Sequence, residues 1–305
     1  MIKPLLRTMR PHQWAKNLLV FAPLLFSENL TDPQAVLLST GAFALFCLLA
    51  SSVYILNDVV DVDKDREHPH KRHRPIAAGE LPVKVATKVW PGIVLFALVC
   101  AFFLSGGNLW FVFVCALYFG LNIAYSFKLK RIPYLDVMLI ANGFLLRVLS
   151  GILILNLDIS RWILPCTFLL ALYMALGKRR HELSTHYERA TKQREVLELY
   201  DLKQLDVLMA LISSLTVLSY CGYTLDPLTL KKFGTPYLIY TTPFAVFGIV
   251  RFQQLMERGA HTESPTQETL RDIPSLLNAL FYCGAVIYII YTKPGKGILK
   301  LLLSS

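Results

Sequence analysis

The chain has 305 residues, 54% of them hydrophobic and 17% charged, with a mean hydropathy of +0.48. Soluble domains carry roughly 25% charged residues, so this composition excludes an ordinary soluble protein, and it is too apolar for a disordered one. A polytopic helical membrane protein remains, in which the net charge of +10 reads as membrane orientation, not as a nucleic-acid footprint.

In chain order, the basic, aromatic segment Arg10-Pro11-His12-Gln13-Trp14-Ala15-Lys16-Asn17 reads as an interface anchor and leads into a weak first span at 14–26. That span contains Pro23 and lacks a small-residue exit, so a cleavable signal peptide is not expected. The clearest span is 35–56, which carries no charge. Others are expected at 89–104, 109–124, 134–155, 162–176, 207–223, 237–250 and 275–291. The expectation is an all-α, polytopic membrane helical bundle of about nine transmembrane helices, one domain over 1–305. Thr31-Asp32-Pro33, Gly106-Gly107-Asn108 and Asp226-Pro227 mark turns between spans. The six cysteines lie in apolar stretches without a CxxC pair and read as small buried hydrophobes.

Of the 31 Lys and Arg, 24 fall in loops on the side of the N-terminus and six on the other, with Arg147 inside a span. Positive loops stay inside, so the N-terminus and the loops 57–88 and 178–204 are expected in the cytoplasm, and the C-terminus outside. All seven histidines and 17 of the 21 acids lie on the same cytoplasmic side. Acids contribute little to membrane orientation. Their gathering on the basic face points to a metal-assisted phosphate site, and it disfavours a transporter, whose site would lie near the midplane.

The acidic run begins where the clearest span ends: Asn57-Asp58-Val59-Val60-Asp61-Val62-Asp63-Lys64-Asp65. Continued as a helix at about 100° per residue, it places Asn57, Asp61, Asp65 and Asp58 within about 100° of one another, and Asp63 on the far side. A like-charged stripe destabilises a helix unless a cation sits on it. The spacing suits Mg²⁺ held through one or two carboxylates plus substrate phosphates. The cationic run that follows, with Arg66, Lys71 and Arg74, would take the remaining phosphate charge. His68, His70 and His73 lack a cysteine partner and stand among cations, which argues against zinc. Asp136 and Arg147, 11 residues apart, share a helix face about 16 Å apart. An Arg inside a span is costly and points into the bundle, where Arg147 would anchor a substrate phosphate. Tyr118, Asn122 and Tyr125 recur at helical spacing and face either the cavity or the core.

Asn57 to Asp65 reads NDxxDxxxD, and the continuation His68-Pro69-x-Lys71 and Arg74-Pro75-Ile76-Ala77-Ala78-Gly79 extends the match, so the chain resembles the UbiA prenyltransferase superfamily. The resemblance implies that Asn57, Asp61 and Asp65 hold Mg²⁺, that Asp58, Asp61 and Asp65 are the catalytic acids, and that the loop with Tyr125, Lys128 and Lys130 supports a diphosphate, Asp136 standing close by. Aromatic prenyltransferases of the superfamily carry a second DxxxD motif after the sixth span. This chain has Lys178-Arg179-Arg180-His181-Glu182 there, with Lys178 and Glu182 at the acidic positions. With Lys16 and Asn17 of the opening segment, this resembles the branch that moves 5-phosphoribose from phosphoribosyl diphosphate to a polyprenyl phosphate. Lys178, Arg179 and Glu182 would then meet the donor, in a bacterial inner membrane. The alternative is an aromatic prenyltransferase with a polyprenyl diphosphate donor.

Overall fold

The computed structural model describes residues 1–159, 161–193, 195–257 and 265–295. Arg194, Arg258, Lys296 and Lys300, counted in the charge asymmetry, lie outside them. All regular structure among the described residues is helical: α1 Ile2–Met9, α2 Ala22–Leu25, α3 Pro33–Val60, α4 Val62–Glu67, α5 Val83–Leu104, α6 Leu109–Phe127, α7 Leu135–Ile154, α8 Ile163–Gln193, α9 Leu202–Leu225, α10 Pro227–Phe233, α11 Thr242–Glu257, α12 Pro265–Arg271 and α13 Ile273–Thr292, with short 3₁₀ segments between.

Among the described residues six helices are long and apolar enough to cross a membrane: α3, α5, α6, α7, α9 and α13. A seventh crossing is formed if α10 and Tyr237–Glu257, bent by 97°, are one broken span. The expected count of about nine is therefore approximate, for two reasons. The weak span at 14–26 is a 3₁₀ segment, Pro11–Phe21, followed by the single turn α2, with Pro11 and Pro23 each removing a backbone donor. The span expected at 162–176 is the first half of α8, which runs on without a break into the charged Lys178-Arg179-Arg180. The expected turns stand where the sequence puts them. Asp32 caps α3 by accepting from the Gln34 N–H at 2.9 Å, Asn108 caps α6, and Asp226 caps α10.

The chain forms two compact units, residues 1–129 with 146–158, and residues 130–145 with 159–305. In the first, α3 is 56% buried along its apolar window against 17% for α5 and 22% for α6, so α3 is the buried strut and the other two present their apolar faces outward. Phe46 and Leu49 of α3 pack with Phe111, Cys115 and Tyr118 of α6. At its far end Ile55 packs with Met9, Ile76, Leu81 and Ala86. Trp14 Nε1 donates to Ser51 Oγ at 3.1 Å, and Ser51 Oγ donates to the Met9 carbonyl at 3.1 Å, which ties the opening segment to α3. Gly151, in the second half of α7, lies so close to the 3₁₀ segment that any Cβ would meet the Val20 carbonyl oxygen. In the second unit α8, α9 and α11 pack around Tyr173, Leu205, Met209 and Phe252. At the α9–α10 corner Asp226 holds Arg161 through two hydrogen bonds, at 3.0 and 2.6 Å, and Trp162 Nε1 at 2.8 Å.

Candidate active site

Helix α3 yields at Asp61 (φ −94°, ψ 11°), and α4 begins at the next residue. The ladder nonetheless runs through, with Asp61 N–H donating to the Asn57 carbonyl at 2.9 Å and Asp65 N–H to the Asp61 carbonyl at 2.8 Å. The face expected for the acidic motif therefore forms. Asp63 is on the outside, with 87% of its side chain exposed, and it takes Arg66 with it through a 3.1 Å ion pair. Arg66, expected at the substrate, thus points away from the motif.

Asp58 and Asp65 are buried at this face. Two guanidinium groups converge on Asp58 Oδ1: Arg10 Nη2 donates at 2.6 Å and Arg74 Nη1 at 3.1 Å. The same Arg74 Nη1 donates to Asp65 Oδ2 at 2.7 Å. Asp58, expected among the catalytic acids, is thus engaged by two arginines and acts as their anchor. Arg10 is held in the left-handed region (φ 54°, ψ 63°), costly for a residue with a Cβ, with its guanidinium 4.9 Å above the Tyr54 ring. Its side chain reaches Asp58 because α1 stops there, a role that its place in the opening motif hints at and its spacing does not reveal.

Asn57 and Asp61 are half-buried, and no ion pair or side-chain hydrogen bond among the described residues engages either. Among the described residues no three of His, Cys, Asp and Glu converge as a preformed cage. An amide oxygen and one or two carboxylates, all hard donors, fit a Mg²⁺ that completes its shell with phosphate oxygens and water. The donors present fit that ion and give zinc nothing.

Deeper in the same unit Arg147 is 8% exposed. Its Nε donates to Asn17 Oδ1 and its Nη2 to the Tyr118 hydroxyl, both at 2.7 Å. Asn17 Nδ2 in turn donates to Cys47 Sγ at 3.2 Å. Of the three residues at helical spacing, Tyr118 meets Arg147, and Asn122 donates to the Tyr118 carbonyl one turn back. Burial, and then Arg147 and Arg10 nearby, push the Lys16 amine down to about 8. Lys16 thus stands in a field of positive charge that an anion would relieve. Tyr125 is half-buried in the last turn of α6, Lys128 is exposed just beyond it, and Lys71 is half-buried in the loop after α4.

The second unit holds the rest. Arg179 is 1% exposed, and its Nε donates to Asp136 Oδ2 at 2.8 Å while its Nη1 donates to Glu182 Oε2 at 2.5 Å. Asp136 is wholly buried and accepts from the Tyr200 hydroxyl at 2.5 Å through its other oxygen; that hydroxyl accepts from the Tyr134 N–H at 2.7 Å. Burial and the Asp136 carboxylate raise the Tyr200 phenol well above its ordinary value. Arg179 and Asp136, expected at the substrate, are therefore the centre of a closed ion pair that joins α7, α8 and the segment before α9. Lys178 is partly exposed and 3.9 Å from Glu182, Lys130 is exposed, and Arg180 pairs with Asp206 at 2.5 Å. Asp136 and Arg147 share a helix but serve different partners. Tyr200, 64 residues from Asp136, carries no local signal in the sequence.

Residues 18–265 match the UbiA prenyltransferase family. The chain belongs to that family. It is similar to the decaprenyl-phosphate phosphoribosyltransferase of Corynebacterium glutamicum, 32% identical over 95% of this chain and 87% of that one. The enzyme of the same name from Mycolicibacterium smegmatis is 33% identical over 94% of this chain and 93% of that one. A UbiA homologue from Archaeoglobus fulgidus, solved with DMAPP and Mg²⁺, superposes with a TM-score of 0.67 at 21% identity, covering 93% of this chain and 99% of its own. At that identity the likeness concerns the fold: a multi-span helical membrane protein of the UbiA kind.

Proposed function

We propose that this chain transfers 5-phosphoribose from phosphoribosyl diphosphate to a polyprenyl phosphate. The observation that carries the reading is the similarity over nearly the whole chain to enzymes of that name. The C1–O bond to diphosphate breaks, a C1–O bond to the lipid phosphate forms, and diphosphate leaves with the electron pair. The acceptor is already an anion, so no strong general base is called for. Asn57, Asp61 and Asp65 would hold Mg²⁺, which supplies Lewis-acid neutralisation of the leaving diphosphate. Arg74, Lys71, Tyr125 and Lys128 would receive the diphosphate, and Lys130 and Lys178 the 5-phosphate. Lys16 and Arg147, with Asn17 orienting the guanidinium, would take the lipid phosphate. Asp136, Arg179 and Glu182 would serve as a structural cluster that holds α7 to α8. The location that follows is a bacterial plasma membrane, with the N-terminus and the acidic-motif loop facing the cytoplasm, where the sugar donor is.

The test is the mass of the lipid formed when the purified chain, in lipid nanodiscs with Mg²⁺, receives phosphoribosyl diphosphate and decaprenyl phosphate. A phosphoribosylated lipid is expected. No such product, together with activity on a prenyl diphosphate and an aromatic acid, would assign the chain to aromatic prenylation.

A further inference from the structure

Arg74 stands where the charge balance of the acidic motif is decided. Its backbone is fixed, because Pro75 holds it extended and Ile76, 1% exposed, is packed against Met9, Ile55 and Leu81. Its side chain is 29% exposed and meets both buried acids through one nitrogen, Nη1. The two acids differ in what else holds them. Asp58 has Arg10 as a second cation, at 2.6 Å. For Asp65, 4% exposed at the side chain, Arg74 is the one cation within salt-bridge distance among the described residues. A buried carboxylate stripped of its cation is strongly disfavoured, so Arg74 can leave Asp65 only when another cation replaces it. A guanidinium offers five N–H donors in a fork that matches phosphate oxygens.

We propose that Arg74 is a resident counter-ion of Asp65 that gives way to the metal and passes its donors to the incoming diphosphate, so that the site favours the metal–diphosphate complex over the bare metal. The proposal rests on the reading of Asn57, Asp61 and Asp65 as the metal face. Arg74 competes with a bare divalent ion for Asp65, which holds affinity for that ion down. With diphosphate present, the guanidinium displaced from Asp65 donates to a phosphate oxygen instead. Asp58 serves as the pivot, since its pairing with Arg10 is unchanged between the two states.

Mn²⁺ binding to the full chain in detergent, read as free Mn²⁺ by electron paramagnetic resonance with and without inorganic diphosphate, tests this without turnover. A charge-assisted hydrogen bond corresponds to about a tenfold or larger effect. Arg74→Gln is therefore expected to bind Mn²⁺ alone about tenfold more tightly than the wild type, and to bind diphosphate in the Mn²⁺-loaded state about tenfold more weakly. Arg74→Lys keeps a charge between the acids where Gln fails to fold, and is expected to shift both affinities in the same directions by less, one ammonium being a poorer bridge. An unchanged or lower Mn²⁺ affinity in both variants, with normal binding by the wild type, would overturn the counter-ion role alone. A wild type that binds no Mn²⁺ even with diphosphate would overturn the metal face as well.

Discussion

Arg179 separates a substrate contact from a structural one. Truncating it to Ala leaves Asp136, wholly buried, without the guanidinium at 2.8 Å, and removes the hydrogen bond from Arg179 to Glu182. Breaking a buried pair by removing one partner costs about 3–5 kcal/mol. Tyr200 still donates to Asp136 and offsets part of that loss, which sets the expectation at about 3 kcal/mol. Tyr200→Phe keeps the ion pair but leaves the Tyr134 N–H without its acceptor, for about 1–3 kcal/mol. Lys178→Ala leaves these bonds in place and removes a partly exposed pair with Glu182 at 3.9 Å, so it is expected to lose about 1 kcal/mol of stability or less while weakening phosphoribosyl diphosphate about tenfold or more. The assay is thermal or denaturant unfolding of the three variants in one detergent, beside donor and acceptor titrations on whatever folds. Wild-type stability in Arg179→Ala, with a selective loss of donor affinity, would refute the closed-pair reading and return Arg179 to the substrate.

Asp61→Asn is expected to abolish turnover in a folded protein, whereas Asp63→Asn, at an exposed site paired only with Arg66, should stay within a few-fold of wild type; the reverse order in a kinetic comparison would place the metal on the wrong face. Lys16, depressed to about 8 by burial and the neighbouring arginines, loses its proton as pH rises through that value. The kcat/KM for polyprenyl phosphate should therefore fall above about pH 8, and Lys16→Arg, always charged, should flatten the limb; an unchanged alkaline limb would separate Lys16 from acceptor binding. Gly151→Ala drives a Cβ onto the Val20 carbonyl, so α7 must move off the segment bearing Asn17, and a stability loss of at least about 1–3 kcal/mol is expected on unfolding.

Much of this protein was legible in one dimension because the bilayer imposes simple rules. Long apolar runs such as 35–56 have to be helices, and Asp32, Asn108 and Asp226 announce helix starts through short-range hydrogen bonds to their own backbone. The acidic face was legible for the same reason: it is a local helical periodicity, and Asp63 points outward as the wheel requires. What tertiary structure alone decided is which charges meet across the chain. Arg10 and Arg74 lie 48 and 16 residues from Asp58, and Tyr200 lies 64 from Asp136, separations over which spacing carries no information. The run Lys178-Arg179-Arg180 looks like three equivalent cations in sequence. On α8 successive residues turn by about 100°, so Arg179 is buried against Asp136, Arg180 faces Asp206 and Lys178 stays partly exposed. Residue type sets the charge available, and only burial determines whether that charge is spent within the fold or left for a ligand.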